Sequence, residues 1–136
     1  MSYTLGFVIG DVVTNADIVE TFKCGNMGGM RRSLSTNTLV IVSDHTKPLY
    51  DDRWLGDELH YTGMGKSGDQ SLDFAQNKTL AQSRKNGIEI HLFEVTKPAQ
   101  YTYKGRVYLS AEPYQEQQIG CDGASRAVWM FPLKEV

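Results

Sequence analysis

Histidines, cysteines and carboxylates are the side chains from which a small protein builds catalytic chemistry, and here they are few and dispersed. His45, His60 and His91 are the only histidines, and none has the spacing to a cysteine or glutamate that a zinc site needs. His60 and His91 fall in strand-like runs, where a hydrogen-bonded structural role is expected. Cys24 and Cys121 stand far apart with no activating neighbours; they read as free thiols of a reducing compartment, which places the protein in the cytoplasm. Neither an HNH-like nor a PD-(D/E)xK nuclease pattern is present. Ligand chemistry is legible in one place, the turn Gly63-Met64-Gly65-Lys66-Ser67-Gly68 ahead of a helix-like segment. Backbone N–H groups in such a turn, with a helix N-terminus behind them, suit a phosphate. The P-loop spacing is not met, so a nucleotide-hydrolysing loop is excluded. A second glycine-rich stretch, Gly25 to Arg32, carries two arginines and reads as a loop. Asp51 and Asp52 stand side by side in a polar connector, as solvated turn residues or as part of a site.

The elements that must position these groups are short. An apolar run from Leu5 to Val13 leads to a helix over Asn15–Phe22, with Thr14 or Asn15 as its cap. Thr38–Val42 is a strand by its β-branched content, and Glu58–Thr62 is another. One long helix is expected from a cap at Ser67 or Asp69 to Asn86-Gly87, with Leu72, Ala75, Thr79 and Leu80 on one face. Arg84 and Lys85 suit its negative end, and Gly87 the left-handed residue beyond it. Strands follow at Ile88–Val95, Tyr101–Leu109 and Ala127–Leu133, with a shorter one near Tyr114 and a turn at Asp122-Gly123. The pattern is α+β with a curved, largely antiparallel sheet.

At 136 residues, with 40% apolar and 22% charged residues, the chain suffices for one domain (1–136) with its own core and without disulfides or metals. No apolar run is long enough for a membrane span, and Met1-Ser2-Tyr3-Thr4 does not open a cleavable signal. A net charge of −2 predicts weak non-specific binding to nucleic acid, so affinity for it must come from a specific site. Positive charge is nevertheless clustered at Arg31-Arg32, Lys66, Lys78 and Arg84-Lys85.

The ordered set of motifs resembles the SRA (SET- and RING-associated) family. Tyr50-Asp51-Asp52 followed by Gly56-Asp57-Glu58-Leu59-His60-Tyr61-Thr62-Gly63-Met64-Gly65 is similar to its Tyr-acidic-Gly and Tyr-Thr-Gly-x-Gly signature. Gly68-Asp69-Gln70-Ser71-Leu72, then Asn77 to Ser83, resembles its Asp-Gln-x-Leu and Asn-x-x-Leu-Ala helix. Tyr101-Thr102-Tyr103-Lys104-Gly105 and Val128-Trp129-Met130-Phe131-Pro132-Leu133 resemble its later strands. The resemblance is nearest to the SRA domains fused to HNH nucleases in bacterial modification-dependent restriction enzymes. It implies a PUA-like distorted β-barrel of mostly antiparallel strands with one long and one or two short helices.

The resemblance also implies a function: binding double-stranded DNA that carries a 5-modified cytosine, 5-methyl or 5-hydroxymethyl, by flipping the base into a pocket. Tyr50 and Tyr61 would stack on the base, Asp52 (or Asp51, since the stretch between the tyrosines is one residue short) would accept from N4, and Thr62 would meet the base edge. Gly63, Gly65, Lys66 and Ser67 would grip the backbone, with Asn77 and Lys78 beside them. Met30, Arg31, Arg32 and Ser33 would enter the gap left by the base or hold its neighbours. The family's long basic finger between the Tyr-Thr-Gly strand and the Asp-Gln helix is absent, so discrimination of hemi-methylated sites does not carry over. No cofactor, metal or catalytic residue is implied, and no membrane partner. A cutting activity would lie in a separate HNH domain, and the end at Pro132–Val136, just past the last matched strand, is what the N-terminal module of a nuclease would show. The rival readings are an RNA-binding PUA or ASCH-type domain, a small nucleotide-processing enzyme with Asp52 as its acid or base, and an interaction domain with no nucleic-acid role.

Overall fold

A computed structural model describes residues 6–46, 50–66 and 68–136. The chain begins with β1 (Val12–Val13), α1 (Asn15–Phe22), β2 (Met30–Ser33) and β3 (Thr38–Asp44). It continues through β4 (Arg53–Leu55), β5 (Glu58–Thr62), α2 (Gln76–Ala81) and α3 (Ser83–Asn86), then β6 (Glu89–Lys97), β7 (Gln100–Leu109), β8 (Tyr114–Ile119) and β9 (Ser125–Glu135). Two compact units divide these elements. The first holds residues up to 46 with 87–107 and 135–136, and the second holds the segment to Asn86 with 108–134.

In the first unit the strands lie in the order β1-β7-β6-β3-β2. All pairings are antiparallel except β3 with β6, which run parallel from Thr38 opposite Glu89 to Asp44 opposite Val95. The run Leu39-Val40-Ile41 is fully buried, as a strand in parallel pairing and covered on both faces should be. Helix α1 starts on Thr14, whose side chain accepts from the Asp17 N–H while Asp17 reaches back to the Thr14 N–H, a capping box. Its Ile18 and Phe22 pack with Val40, Val42, Phe93, Val95 and Tyr103.

In the second unit the order is β4-β5-β9-β8, with Tyr61 opposite Phe131 and Gln118 opposite Arg126. Leu59, Leu80, Val128, Met130, Phe131 and Leu133 are fully buried. A two-residue loop, Gly56-Asp57, joins β4 to β5, and Gly56 has φ +66°, which a side chain rarely tolerates.

Three expectations are corrected. The single long helix from residue 67 or 69 to 86 does not form: the described helices there have six and four residues. Gln70 N–H bonds to Ala127 O and Asp69 Oδ1 accepts from Ala127 N–H, so residues 69–70 line up along β9 and helical backbone starts only at Gln76. Gly87, at φ +69°, ends α3 as expected. The loop Gly25–Arg32 stops early, because Met30–Arg32 are already strand, paired with β3. The connector after Tyr50 contains β4, which its polar composition concealed.

Candidate nucleic-acid interface

Most of the candidate residues meet within the second unit, where two segments ten residues apart converge. Asp52 Oδ1 accepts the Thr62 N–H at 2.7 Å, tying the acidic connector to the end of β5. Asp51 behaves differently. Its side chain is 69% exposed and pairs with Arg53 at 3.2 Å. Arg53 also makes two bonds to Glu116, at 2.9 and 2.5 Å, and that pairing holds the Glu116 carboxyl below its usual range. Gln118 then links the strands, accepting the Asp51 N–H at 3.2 Å and donating to Thr62 Oγ1 at 3.3 Å. Thr62 is buried, and its hydroxyl also faces Met130 Sδ at 3.6 Å. Tyr61 is 4% exposed and Tyr50 is half-buried. Burial pushes the Tyr50 hydroxyl up; the nearby Arg126 guanidinium opposes this, and the Asp52 carboxylate adds to it.

The glycine turn that follows is a braced structure. Gln70 Nε2 donates to Gly63 O at 2.7 Å and Gly65 O at 3.1 Å, while its Oε1 accepts the Trp129 N–H at 2.9 Å. Asn77 Oδ1 accepts the Met64 N–H at 2.7 Å, and its Nδ2 donates to Met64 O and Ser71 O, each at 3.1 Å. The Lys66 carbonyl accepts from Cys121 N–H at 3.0 Å, with Lys66 exposed. A Cβ on Gly63 would sit 2.9 Å from Asn77 Oδ1 and 3.1 Å from both Gln70 Oε1 and Phe131 Cε2, so only glycine fits against these amides.

Asn77, expected beside the DNA backbone, is fully buried, and its amide is spent on the turn, which it braces from inside. Lys78, next to it, is exposed. Ser67 lies outside the described residues.

Met30, Arg31, Arg32 and Ser33, expected to enter the gap left by the base, belong to the first unit, where Met30–Ser33 form strand β2. Met30, Arg31 and Ser33 are buried. Arg31 donates to Gly28 O and Asn15 Oδ1, Arg32 to Ser33 O, Thr38 O and Asn37 Oδ1, and Ser33 Oγ to Lys23 O. These groups hold β2 to its surroundings. The exposed apolar side chain of this segment is Met27, at 82%.

His60 Nδ1 meets Tyr114 OH at 2.6 Å and its Nε2 meets Glu58 at 2.8 Å. His91 pairs in the same way with Tyr103 OH, 2.8 Å, and Glu89, 3.2 Å. Among the described residues no cluster of three His, Cys, Asp or Glu side chains is placed to hold a metal. Among the described residues no helix is long and apolar enough to cross a membrane. Sequence reasoning missed Arg126, which is 2% exposed beneath the glycine turn; a lone arginine in an aromatic strand carries no signal of burial.

The arrangement of nine mostly antiparallel strands and three short helices among the described residues is the SRA fold. The structure of the sulfur-binding and SRA domains of ScoMcrA complexed with phosphorothioated DNA matches with a TM-score of 0.78 at 21% identity, covering 96% of this chain and 40% of that one. The SUVH5 SRA domain in complex with hemi-methylated CG DNA matches with a TM-score of 0.71 at 22% identity, covering 100% and 94%. The larger ScoMcrA structure, a type IV phosphorothioation-dependent restriction endonuclease, is spanned over only 28% of its length. No curated protein matches the chain. Residues 9–136 match the ScoMcrA-like SRA domain model, and the chain belongs to that family.

Proposed function

We propose that this domain binds DNA containing a 5-modified cytosine by taking the flipped base between Tyr50 and Tyr61, with Asp52 accepting from its exocyclic N4 amine. The Asp52–Thr62 hydrogen bond carries this reading, because it fixes a carboxylate beside the strand that bears Tyr61. A carboxylate accepts from cytosine N4, which thymine and uracil lack, and its two oxygens accept several hydrogen bonds. Geometry favours Asp52 over Asp51, whose carboxylate points to solvent and Arg53. Extrusion costs a few kcal/mol, and two stacking contacts of about 1–3 kcal/mol each offset it. The domain acts as a recognition module for a nuclease housed elsewhere. That the ScoMcrA domains are complexed with phosphorothioated DNA and the SUVH5 domain with hemi-methylated CG DNA supports modified DNA as the ligand class.

The test is a titration, at one stated moderate salt concentration, of duplexes that differ at a single cytosine: unmodified, 5-methyl or 5-hydroxymethyl. A fourth duplex carries a phosphorothioate and no modified base. Preference for a modified base, lost in Tyr50→Ala and Asp52→Asn, is expected. Asp52→Asn retains an acceptor for the Thr62 N–H, so its loss reports on the base and not on the fold. Preference for the phosphorothioate duplex alone, or equal binding to all four, refutes the cytosine reading.

A further inference from the structure

Strand β8 alternates along its length. Gln115, Gln117 and Ile119 are exposed, Tyr114 and Glu116 are half-buried, and Gln118 is 9% exposed. The second set therefore lies on one face of the strand. Each of its members has a partner on β4, on β5 or in the connector ahead of β4. Tyr114 OH meets His60 Nδ1, Glu116 takes Nη1 and Nη2 of Arg53, and Gln118 reaches Asp51 and Thr62.

One oxygen is the hub of this face. Glu116 Oε2 accepts from Arg53 Nη1 and from Gln118 Nε2, each at 2.9 Å. The Arg53 donors hold the carboxyl below its ordinary value, so at neutral pH it offers acceptors alone. Joined there, the two arms grip the Asp51 backbone at both ends. Gln118 Oε1 accepts the Asp51 N–H at 3.2 Å, and Arg53 Nη1 donates to Asp51 O at 3.1 Å. These groups belong to the two peptide units that join Tyr50 to Asp52. A peptide unit is planar and rigid, so holding both leaves little freedom between the Tyr50 ring and the Asp52 carboxylate. The Asp51 side chain is 69% exposed, so the clamp buries nothing apolar, and an ion pair partly in water adds little stability. Its effect is on geometry. Stacking tolerates rotation of a base in its own plane, but a hydrogen bond from N4 does not. The Thr62 N–H fixes one Asp52 oxygen; the direction of the carboxylate about that bond follows from the backbone that carries it.

We propose that Glu116, acting through Arg53 and Gln118, is the positioning residue that aligns the Asp52 carboxylate with the exocyclic amine of a base stacked on Tyr50. The assignment rests on the base-binding reading above and adds to it the group that sets selectivity for cytosine. Glu116 itself touches no base.

The experiment is a cycle between protein and DNA. One duplex carries 5-methylcytosine, and the other carries 5-methyl-2-pyrimidinone in its place, the same ring without the N4 amine. Both have an abasic site opposite, so neither base gives up a pairing partner on extrusion. The intact domain, Glu116→Gln and Gln118→Met are titrated with each at one stated salt concentration. For the parent, removing the amine should weaken binding about 10-fold or more, the range for a hydrogen bond to a charged group. Glu116→Gln keeps the side-chain length but has one acceptor for two donors. Gln118→Met leaves the Arg53–Glu116 pair in place and removes the acceptor of the Asp51 N–H. Each variant should bind the 5-methylcytosine duplex more weakly and the pyrimidinone duplex about as well as the parent does. The ratio of the two affinities should therefore shrink by more than about 2-fold, the margin of additivity for uncoupled changes. Partial unfolding weakens both duplexes alike and leaves the ratio, so a merely stabilising clamp leaves it too. Should melting show that Glu116→Gln does not fold, Gln118→Met decides alone. A ratio within about 2-fold of the parent's in a folded variant overturns the proposal and leaves the base-binding reading standing. A parent that binds both duplexes equally removes that reading, and the clamp with it.

Discussion

Replacing Gly63 by alanine adds one methyl group and should cost as much as many core truncations. The added Cβ would lie 2.9 Å from Asn77 Oδ1, 3.1 Å from Gln70 Oε1 and 3.1 Å from Phe131 Cε2. Neither amide can retreat freely: Asn77 Oδ1 holds the Met64 N–H at 2.7 Å and Gln70 Oε1 the Trp129 N–H at 2.9 Å. Asn77 is fully buried and Gln70 7% exposed, so no water replaces a bond that is lost. Forcing a methyl group into a packed interior costs about 1–3 kcal/mol, and one hydrogen bond sacrificed adds about 1 kcal/mol. The sum, about 2–4 kcal/mol, is a large share of a domain stability of about 5–15 kcal/mol. Urea unfolding of the parent and Gly63→Ala, with m unchanged, would read it as a shift of the midpoint. Gly25→Ala is the control. A Cβ there meets nothing within 4 Å, and it should be neutral or slightly stabilising. If Gly63→Ala falls within about 0.5 kcal/mol of the parent, the scale of a neutral surface change, the reasoning that the turn is clamped from inside is wrong.

Two further outcomes follow from buried or paired titratable groups. Burial pushes His91 below the usual 6.5 against the opposing bond to Glu89, so the folded state keeps it neutral and its contribution is present above pH 6.5 and lost as pH falls below. Melting curves between pH 7.5 and 5 should show a slope of up to about 1.4 kcal/mol per pH unit, reduced in His91→Gln; an unchanged slope in that variant refutes the assignment. Glu116 is held below 4.5, foremost by its hydrogen bonds from Arg53, so its contribution is present above pH 4.5 and disappears as pH drops through the lowered folded value. Glu116→Gln should remove about 1 kcal/mol at neutral pH, the upper end for a pair still partly in water, and flatten the acid limb; equal acid sensitivity in both proteins would show that the pair contributes nothing.

What the sequence disclosed depended on whether local signals decided the local structure. Glu58–Thr62 and the Thr14-capped helix appear where the residues predict them, because a β-rich run and a capping box act within a few residues. The continuous run Thr38–Val42 gave the strand but not its parallel partner, since pairing between β3 and β6 joins segments far apart in the chain. The long helix failed for the same reason: Asp69 and Gln70 are drawn onto Ala127 of β9, and no local propensity records that. Arg31 and Arg32 looked like loop residues, but their guanidinium groups find carbonyls and amide oxygens inside the first unit, which lets strand β2 carry them. For the site, the sequence preferred Asp52 with Asp51 as the alternative, and the two carboxylates differ in setting: Asp52 accepts the Thr62 N–H, while Asp51 pairs with Arg53.

The polar residues of the recognised motifs therefore divide by depth and not by type. Gln70 and Asn77 look like ligand-binding amides in a sequence, yet their donors and acceptors are consumed holding Gly63, Met64 and Gly65 in place. Amides suit that task because each offers a donor and an acceptor on one rigid plane and no charge to neutralise. Arg126 shares their position beneath the turn but not their balance: its acceptors are two carbonyls and its charge remains. A turn braced by neutral amides needs nothing more to be stable. A buried guanidinium whose Nε and Nη2 have no partner under the same turn is the exception to that balance.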